Sequence, residues 1–291
     1  MFKILKILYR LINVLVILAL LSIHFLIKDS SFKTSLWFYI LPLPLIIVIV
    51  VVLSILLGKY RKYNLILAGI LTLIWLGRSL NINLTEVPKT NNLEIVFWNA
   101  SRDNGFQSAF QLNGDLPDLM ILCETKGNNF DSLAAKYPKY NFYQTAGGLE
   151  IFSKKPIRIL KEEVSKFHSE VVQFQMDDIN FYAIDLQGST DVPRAWELAF
   201  LNSQIEEVHR TILMGDFNLP YESILFKDIK SNFYDALTKK GNGFRETWFW
   251  NLPLLSLDHI WASKDISIYR AQKIKTNKSD HTMIRAYVKT N

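Results

Sequence analysis

The sequence has very little cysteine: Cys123 is the single thiol among 291 residues. One thiol cannot form an intrachain disulfide, so the redox compartment of the protein stays open. Histidine is also scarce, with five in the chain. Because the cysteine and the histidines lack the spacing of zinc ligands, any metal site is more readily built from oxygen ligands.

Acidic residues are nearly absent from the front third of the chain. Residues 1–91 hold ten Lys and Arg residues but two acidic residues, a formal net charge of +8. The whole chain carries +6, so residues 92–291 carry −2. The basic character therefore belongs to the front third, and the larger part lacks the broad electrostatic footprint of a nucleic-acid-binding protein.

Charge is absent from three apolar runs, at residues 11–27, 36–57 and 65–77. About twenty apolar residues span a bilayer as a helix, so the first two runs qualify and the third does so only if extended. A cleaved signal peptide is the alternative for the first run, but no small-residue cleavage site precedes Lys28. We predict a membrane anchor over residues 1–80 with about three transmembrane helices.

Basic residues flank these runs unequally. With three crossings, one side of the membrane receives Lys3, Lys6, Arg10, Lys59, Arg61 and Lys62. The opposite side receives Lys28, Lys33, Arg78 and Lys89. The positive-inside rule then predicts an integral protein of a bacterial-type inner or plasma membrane, with its C-terminal domain outside the cytoplasm. If the third run does not span, this orientation inverts.

Polar residues with Pro88 indicate a linker over residues 81–92, followed by one domain over residues 93–291. Strands are predicted at residues 93–98, 119–123, 149–153, 171–176, 181–185, 260–262 and 283–288, and in the segment that begins at Thr211. Strands and helices mingle without strict alternation, which favours two mixed sheets with helices outside.

Polar side chains mark the ends of several predicted strands. Asn99, Glu124 and Asp216 follow strands, whereas Asp258 and Asp280 precede them. If the last two strands run antiparallel to the first three, these positions converge on one edge. Carboxylate and amide oxygens there are typical ligands of a hard dication such as Mg²⁺ or Mn²⁺. For the motif at Asp216, an Asx-type turn that only caps the backbone is the alternative.

Five motifs occur in a characteristic order: WNA (98–100), PDLMILCE (117–124), GDFN (215–218), LDHIWAS (257–263) and SDH (279–281). The series resembles the endonuclease/exonuclease/phosphatase superfamily, and the resemblance covers about residues 92–291. Any one motif is weak, whereas five in order are a strong signal. The resemblance implies an α/β (α+β) fold, a four-layer sandwich of two mixed β-sheets flanked by helices, and metal-dependent attack of water on phosphorus.

The resemblance also assigns roles to the residues at these motifs. Glu124 would be the principal metal ligand with Asn99 nearby, and Asp280 a direct or indirect ligand. Asp216 would orient or deprotonate the attacking water, and Asn218 would hold it. His281 would bond to a non-bridging oxygen, supported by Asp258. These roles agree with the positioning and charge neutralisation that phosphoryl transfer needs.

One position departs from the family pattern. Many relatives carry a His at the end of the strand that corresponds to residues 181–185, where this chain has Asp185. Asp185 could be a further metal ligand or an ordinary polar residue, and leaving-group protonation lacks an assigned acid. Arg194 could contact phosphate or lie on the surface at a helix start.

We therefore expect a membrane-anchored phosphoester hydrolase that uses Mg²⁺ or Mn²⁺. Its substrate would be a lipid head group, a nucleic acid or a sugar phosphate, and no obligate protein partner is evident. The alternative is a phosphate-ligand-binding module that keeps the fold but not the chemistry, with Asp185 as the indication.

Overall fold

The computed structural model describes residues 2–84, 88 and 92–289. These residues divide into two compact units, Met1–Leu80 with Glu222–Leu225, and Asn81–Tyr221 with Phe226–Asn291. Half of the predicted linker, residues 85–87 and 89–91, lies outside the described residues.

The first unit is helical. Its α-helices are α1 (Phe2–Leu21), α2 (Phe32–Ile40), α3 (Leu43–Ser54) and α4 (Arg61–Ser79). A π-helical segment, Ser22–Ile27, extends α1, and a 3₁₀ segment, Ile55–Tyr60, follows α3. Two stretches are long and apolar enough to cross a membrane by length and composition, Lys3–Ile27 and Leu43–Ser79.

The second predicted run, residues 36–57, is not one helix. It is divided between α2 and α3 at Pro42, which has extended backbone angles and precedes the first turn of α3. Proline has no N–H and disfavours a helical residue before it, so the helix restarts there.

The second stretch that could cross a membrane folds back on itself at Gly58. This residue has φ of 56°, a left-handed conformation that glycine adopts without a steric penalty. The Asn64 side chain donates a hydrogen bond to the Val50 carbonyl at 3.3 Å. Along a straight helix, residues separated by 14 positions would lie about 21 Å apart. Helices α3 and α4 therefore pack side by side.

Helix α1 packs against the same pair, because it shares one apolar cluster with α3 and α4, and the Tyr9 hydroxyl donates to the Leu53 carbonyl at 2.7 Å. The Arg10 guanidinium lies 4.2 Å from the Tyr60 ring centroid. Arg10 thus lies beside the turn that carries Lys59 and Arg61. The orientation of this unit in a membrane stays a prediction.

The second unit contains two six-stranded sheets. The first sheet has the order β13 (Ser267–Ile274), β14 (Met283–Lys289), β2 (Asn92–Asn99), β3 (Leu119–Cys123), β5 (Glu150–Ser153), β4 (Asn141–Gln144). The second has the order β10 (Phe233–Asp235), β12 (Asp258–Ser263), β9 (Thr211–Asp216), β8 (Ile179–Asp185), β7 (Glu170–Met176), β6 (Arg158–Val164). Two-residue strands are β1 (Leu80–Asn81) and β11 (Gly243–Phe244). The helices are α5 (Phe106–Asn113), α6 (Phe130–Lys136), α7 (Arg194–Gln204), α8 (Lys227–Asn232) and α9 (Ala236–Lys240).

Both sheets are mixed and flanked by helices, which confirms the predicted fold class. Strand β2 is buried on both faces, because Ile95 and Phe97 belong to one apolar cluster and Val96 and Trp98 to another. The first cluster fills the space between the sheets, and the second packs under α5 through Phe106. Burial on both faces explains why such strands appear in the sequence as unbroken apolar runs.

Strand direction brings the marked strand ends together. Strand β2 is parallel to β3, and β14 is antiparallel to β2. In the other sheet β8 is parallel to β9, and β12 is antiparallel to β9. Strands β12 and β14, which begin at Asp258 and just after Asp280, therefore run antiparallel to the neighbouring strands β9 and β2, which end at Asp216 and Asn99. This is the condition under which the sequence predicts that these residues converge on one edge.

Candidate active site

The GDFN motif ends β9 in a tight approach to the neighbouring strand. A Cβ at Gly215 would lie 1.9 Å from the Ile184 carbonyl oxygen, so only glycine fits there. The next residue, Asp216, is 1 % exposed, and its Oδ1 accepts the N–H of Asn218 at 2.8 Å. Asn218 has φ of 50°, and its Nδ2 donates to the Leu186 carbonyl at 2.8 Å. The turn predicted as the alternative is present, and Asp216 still keeps its Oδ2 for other contacts.

Asn99 joins the two sheets at this point. Its Nδ2 donates to Asp216 Oδ2 at 3.0 Å and to Glu124 Oε1 at 3.2 Å. Its Oδ1 accepts the N–H of Ser101 at 3.0 Å. The amide nitrogen, rather than the oxygen, thus faces the two carboxylates and holds them close together.

His281 and Asp258 form a second bridge between the sheets. The Nδ1 of His281 lies 3.0 and 2.9 Å from the two carboxylate oxygens of Asp258. Both residues are buried, and Asp258 stands directly opposite Asp216 in the antiparallel register of β12 and β9. Because Nδ1 is used by Asp258, Nε2 is the ring atom that can face a substrate.

The charges of this group are set by burial and by one another. Burial alone would lower the pKa of His281, but the charge and hydrogen bond of Asp258, with Asp216 and Asp280 nearby, raise it to about 10. Burial and the charge of Asp258 raise the pKa of Asp216 to about 7, although His281, Asn218 and Asn99 oppose this shift. At neutral pH the centre therefore contains an imidazolium beside a carboxyl poised to exchange a proton.

Asp216, Asp258 and His281 place one possible ligand atom each within 4.8 Å of one another. Geometry alone would allow a metal ion there. The Nδ1 of His281 already contacts both carboxylate oxygens of Asp258, however, so these two residues are paired with each other. The three residues are therefore better interpreted as an acid–base group than as a complete ligand set.

Glu124 offers a better position for a dication. It follows β3, with φ of 48°, and its side chain is 30 % exposed. Its Oε2 pairs at 2.9 Å with the Nε of Arg102, whose side chain is 81 % exposed. An exposed ion pair contributes little stability, so a metal ion can replace Arg102 at small cost. Negative charge also accumulates here, since burial and then Asp185, Asp216, Asp258 and Glu124 raise the pKa of the Cys123 thiol. These oxygen donors are therefore suited to a hard divalent cation.

Asp280 is bonded to Ser101, the residue before Arg102, and is firmly held. One carboxylate oxygen accepts the Ser101 hydroxyl, and the other accepts the Trp248 Nε1–H at 2.9 Å. Burial would raise the pKa of Asp280, but these two hydrogen bonds and the nearby His281 lower it overall. Asp280 is thus a carboxylate at neutral pH.

Asp185 lies in a row of carboxyl groups across the second sheet. It pairs in register with Asp216 on one side and with Glu170 on the other. Burial, followed by the charges of Asp216, Glu124 and Glu170, raises its pKa well above the ordinary value. Glu170 is occupied elsewhere, since it accepts the N–H groups of Gly147 and Leu149 at 3.0 and 3.1 Å. Asp185 is therefore the member of this row that lies next to Asp216 and belongs to the candidate site.

Arg194 contacts backbone carbonyls. It is 9 % exposed and donates to the carbonyls of Gln187, Ser189 and Asn218. It ties the loop after β8 to the loop after β9, so it is neither a surface residue nor, in this arrangement, aimed at phosphate.

A second aspartate–histidine pair supports the site from behind. His259 lies on the opposite face of β12 from Asp258, as alternation predicts, and it is 1 % exposed. Its Nδ1 lies 3.2 Å from Asp235 Oδ2 and its Nε2 lies 3.0 Å from the Leu219 carbonyl. The pair fixes the residue that follows Asn218. Nothing in the sequence pattern linked Asp235 to this region, because its partners are distant along the chain.

Comparison with known proteins agrees with this geometry. Residues 96–281 match the Endonuclease/Exonuclease/phosphatase family. Among curated proteins, none matches the sequence. A family protein of this kind from Bacteroides thetaiotaomicron has a TM-score of 0.53 at 15 % identity, over 70 % of this chain and 98 % of its own.

Two further structures are similar in fold. A humanized D. rerio TDP2 has a TM-score of 0.52 at 19 % identity, over 69 % of this chain and 100 % of its own. A mannosyl-6-phosphatase from Bacteroides thetaiotaomicron has a TM-score of 0.53 at 15 % identity, over 67 % of this chain and 99 % of its own. From the sequence match over most of the second unit, together with this fold, the chain belongs to the endonuclease/exonuclease/phosphatase family.

Proposed function

We propose that the chain is a membrane-anchored, divalent-metal-dependent phosphoester hydrolase whose catalytic domain, residues 93–291, lies outside the cytoplasm. One observation carries the proposal: the buried group Asp216, Asp258 and His281 is joined through Asn99 to Glu124. A proton acceptor, a cationic donor and a carboxylate for a metal ion thus lie around one point, as phosphoryl transfer requires.

Glu124 is the proposed principal ligand of Mg²⁺ or Mn²⁺, with Asn99 and Asp280 completing the proposed set. When bound, the ion neutralises charge on the phosphoryl oxygens. Asp280 suits this role because its two hydrogen bonds keep it ionised. Asn99 would contribute its oxygen only if its amide turned over, since the nitrogen now faces the carboxylates.

Asp216 is the proposed base. With a pKa of about 7 it is substantially ionised at neutral pH and can take a proton from water. As the water oxygen bonds to phosphorus, the P–O bond to the leaving group breaks, and that group departs as an alcohol or alkoxide. The imidazolium of His281 donates from Nε2 to a non-bridging oxygen as negative charge develops, and Asp258 keeps the ring charged and oriented. Asn218 positions the water, with its backbone fixed by Asp216.

The substrate class is drawn from chemistry and from the similar structures. One structure similar in fold is D. rerio TDP2 complexed with a single-stranded DNA product, and another is a mannosyl-6-phosphatase. The proposed substrates are therefore phosphoesters, whether of a lipid head group, a nucleic acid or a sugar phosphate. The membrane anchor over residues 1–80 is supported by the two apolar stretches and by the packing of α1 with α3 and α4.

The test is hydrolysis of a bis-aryl phosphodiester by the full chain in lipid nanodiscs, with and without Mg²⁺ or Mn²⁺. Asp216→Ala and His281→Ala should each lower kcat by roughly a thousandfold while circular dichroism stays unchanged. Asp178→Ala, an exposed aspartate paired with Arg210, is the matched control and should retain full activity. Full activity in both site variants would refute the proposal.

The alternative, a binding module without turnover, rests on Asp185 at the position where many relatives have His. It predicts saturable binding of a phosphorylated ligand with no metal-dependent product. Protease treatment of intact cells tests the topology, since a fully protected C-terminal domain would contradict the placement outside the cytoplasm.

A further inference from the structure

The segment from Trp248 to Leu255 forms a closed loop whose tip is apolar and exposed. Its ends are joined by two backbone hydrogen bonds of 2.9 Å, one in each direction between Trp248 and Leu255. At the tip Phe249, Trp250 and Leu252 are 37 %, 48 % and 55 % exposed. Single exposed apolar residues are ordinary, but three large ones within four positions on one loop form a patch that indicates a partner.

The tip is held in place beside the active site. The N–H of Trp250 donates to the Asp280 carbonyl at 2.9 Å, and the Trp248 indole donates to the Asp280 carboxylate at 2.9 Å. The Asn251 side chain donates to the Thr276 carbonyl at 2.8 Å and accepts the Thr276 N–H at 3.3 Å. These bonds hold Trp250 and Asn251 in the left-handed region, at φ of 49° and 64°. The apolar tip is therefore displayed by a fixed scaffold next to His281.

Two exposed lysines accompany the tip. Lys275 and Lys278 flank Thr276, the residue to which Asn251 is bonded. We name Phe249, Trp250, Leu252, Lys275 and Lys278 the rim patch. Aromatic and aliphatic side chains next to lysines are the composition of protein surfaces that bind the headgroup region of anionic bilayers.

A nucleic acid suits the rim patch less well. Stacking of bases needs flat side chains along a positively charged groove, whereas the most exposed member of the tip is Leu252. A bilayer, in contrast, accepts Phe, Trp and Leu together, and the same chain contains two stretches apolar enough to cross one.

We propose that the rim patch binds the surface of a bilayer that contains anionic phospholipid, and that the substrate is a phosphoester carried by a lipid of that bilayer. This inference rests on the proposed function, because it takes the site beside the patch to cleave phosphoesters. The patch brings the headgroup layer to Asp280 and His281, so a lipid phosphate reaches the site without leaving the membrane.

The first test measures contact with lipid and does not depend on catalysis. Leu252→Cys in the full chain is labelled with an environment-sensitive nitrobenzoxadiazole dye; the native Cys123 is fully buried and resists labelling. The chain is placed in nanodiscs of phosphatidylcholine and phosphatidylglycerol that contain nitroxide-labelled lipid. The dye at position 252 should be quenched, whereas a dye at the control position, Val164→Cys, which is 48 % exposed in β6, should not. Equal quenching at both positions, or none at 252, would overturn the inference.

The second test separates the two proposals. The double variant Trp250→Ser, Leu252→Ser should hydrolyse the soluble bis-aryl phosphodiester as the native chain does. Its hydrolysis of phosphatidylglycerol in mixed vesicles should fall by about tenfold or more, because interfacial apolar contacts are lost. Trp196→Ser, which removes another exposed tryptophan, is the matched control and should match the native chain on both substrates.

The outcomes are distinguishable. Quenching at position 252 without hydrolysis of any phosphodiester would refute the proposed function and the substrate assignment, while the contact of the rim patch with lipid would be confirmed. Hydrolysis of the soluble diester with equal rates of the double variant and the native chain on vesicles would sink the rim patch alone. A selective loss on single-stranded oligonucleotides would show that the patch binds nucleobases, which also overturns the inference.

Discussion

The positive charge of His281 is stabilised by the carboxylate of Asp258. The substitution Asp258→Asn removes this negative charge but keeps an oxygen that can accept a hydrogen bond from the ring. In the native chain Asp258 contacts Nδ1 through both carboxylate oxygens, and the pKa of His281 is raised from 6.5 to about 10. A full return of the pKa to 6.5 would mean that the protein stabilises the imidazolium over the neutral ring by about 5 kcal/mol less than the native chain does. Burial then lowers the pKa of the imidazole while Asp216 and Asp280 still raise it, so the pKa of His281 in the variant should lie well below 10.

The measurement is kcat/KM for a bis-aryl phosphodiester across pH, together with NMR titration of the His281 ring. The native profile should rise as Asp216 ionises near pH 7 and fall as His281 loses its proton near pH 10. In Asp258→Asn the alkaline limb should move to lower pH by about two units or more, with a loss of roughly tenfold or more at pH 9. Asp235→Asn, the same change in the pair behind the site, should leave the alkaline limb in place. An unchanged limb in Asp258→Asn would refute the reasoning.

Four further expectations follow from the geometry. Glu124→Gln should raise the metal concentration for half-maximal activity by about tenfold or more, measured by Mn²⁺ titration; an unchanged requirement would exclude Glu124 as principal ligand. Asp185→Asn should slow cleavage of esters with alkyl leaving groups far more than of nitrophenyl esters if Asp185 supplies the leaving-group proton, and equal effects on both would assign it a structural role. Gly215→Ala should destabilise the fold by about 3 kcal/mol or prevent folding, because the added Cβ would lie 1.9 Å from the Ile184 carbonyl oxygen. The control is Gly69→Ala, whose added Cβ has no atom within 4 Å and should leave the thermal unfolding temperature unchanged. Because the folded pKa of His281 is raised, its contribution to stability is complete below pH 6.5 and is lost as pH rises through about 10. Thermal stability should therefore fall between pH 8 and 10 in the native chain and fall less in Asp258→Asn.

Strand ends could be predicted from the sequence because local composition determines them. The apolar runs before Asn99, Glu124 and Asp216 are buried on both faces, so each ends where its polar residue begins. The opposite direction of β12 and β14 was the added condition that made convergence on one edge predictable, and it is met. Strands β6 and β13 were not predicted, because charged residues interrupt them and they are partly exposed.

Side-chain partners could not be predicted in the same way. The contact of Asn99 with Asp216 joins residues 117 positions apart, and which end of the amide faces the carboxylate depends on the turn at Ser101. The partners of Arg194 and His259 are likewise backbone carbonyls that the fold brings into reach. Such contacts carry no periodic signal in the sequence. The break at Pro42 was visible, but an apolar run without charge does not by itself say where a helix restarts.

The two bridges at the centre of the sandwich make catalysis sensitive to the separation of its layers. Glu124 and His281 adjoin strands of one sheet, and Asp216 and Asp258 belong to the other. A small expansion that leaves every strand intact would part these groups, as happens in compact states with loosened packing. Enzymatic activity should therefore vanish on heating before the strand signal does. A phosphate analogue that binds to residues of both sheets should in turn stabilise the folded state and raise the temperature at which the two layers separate.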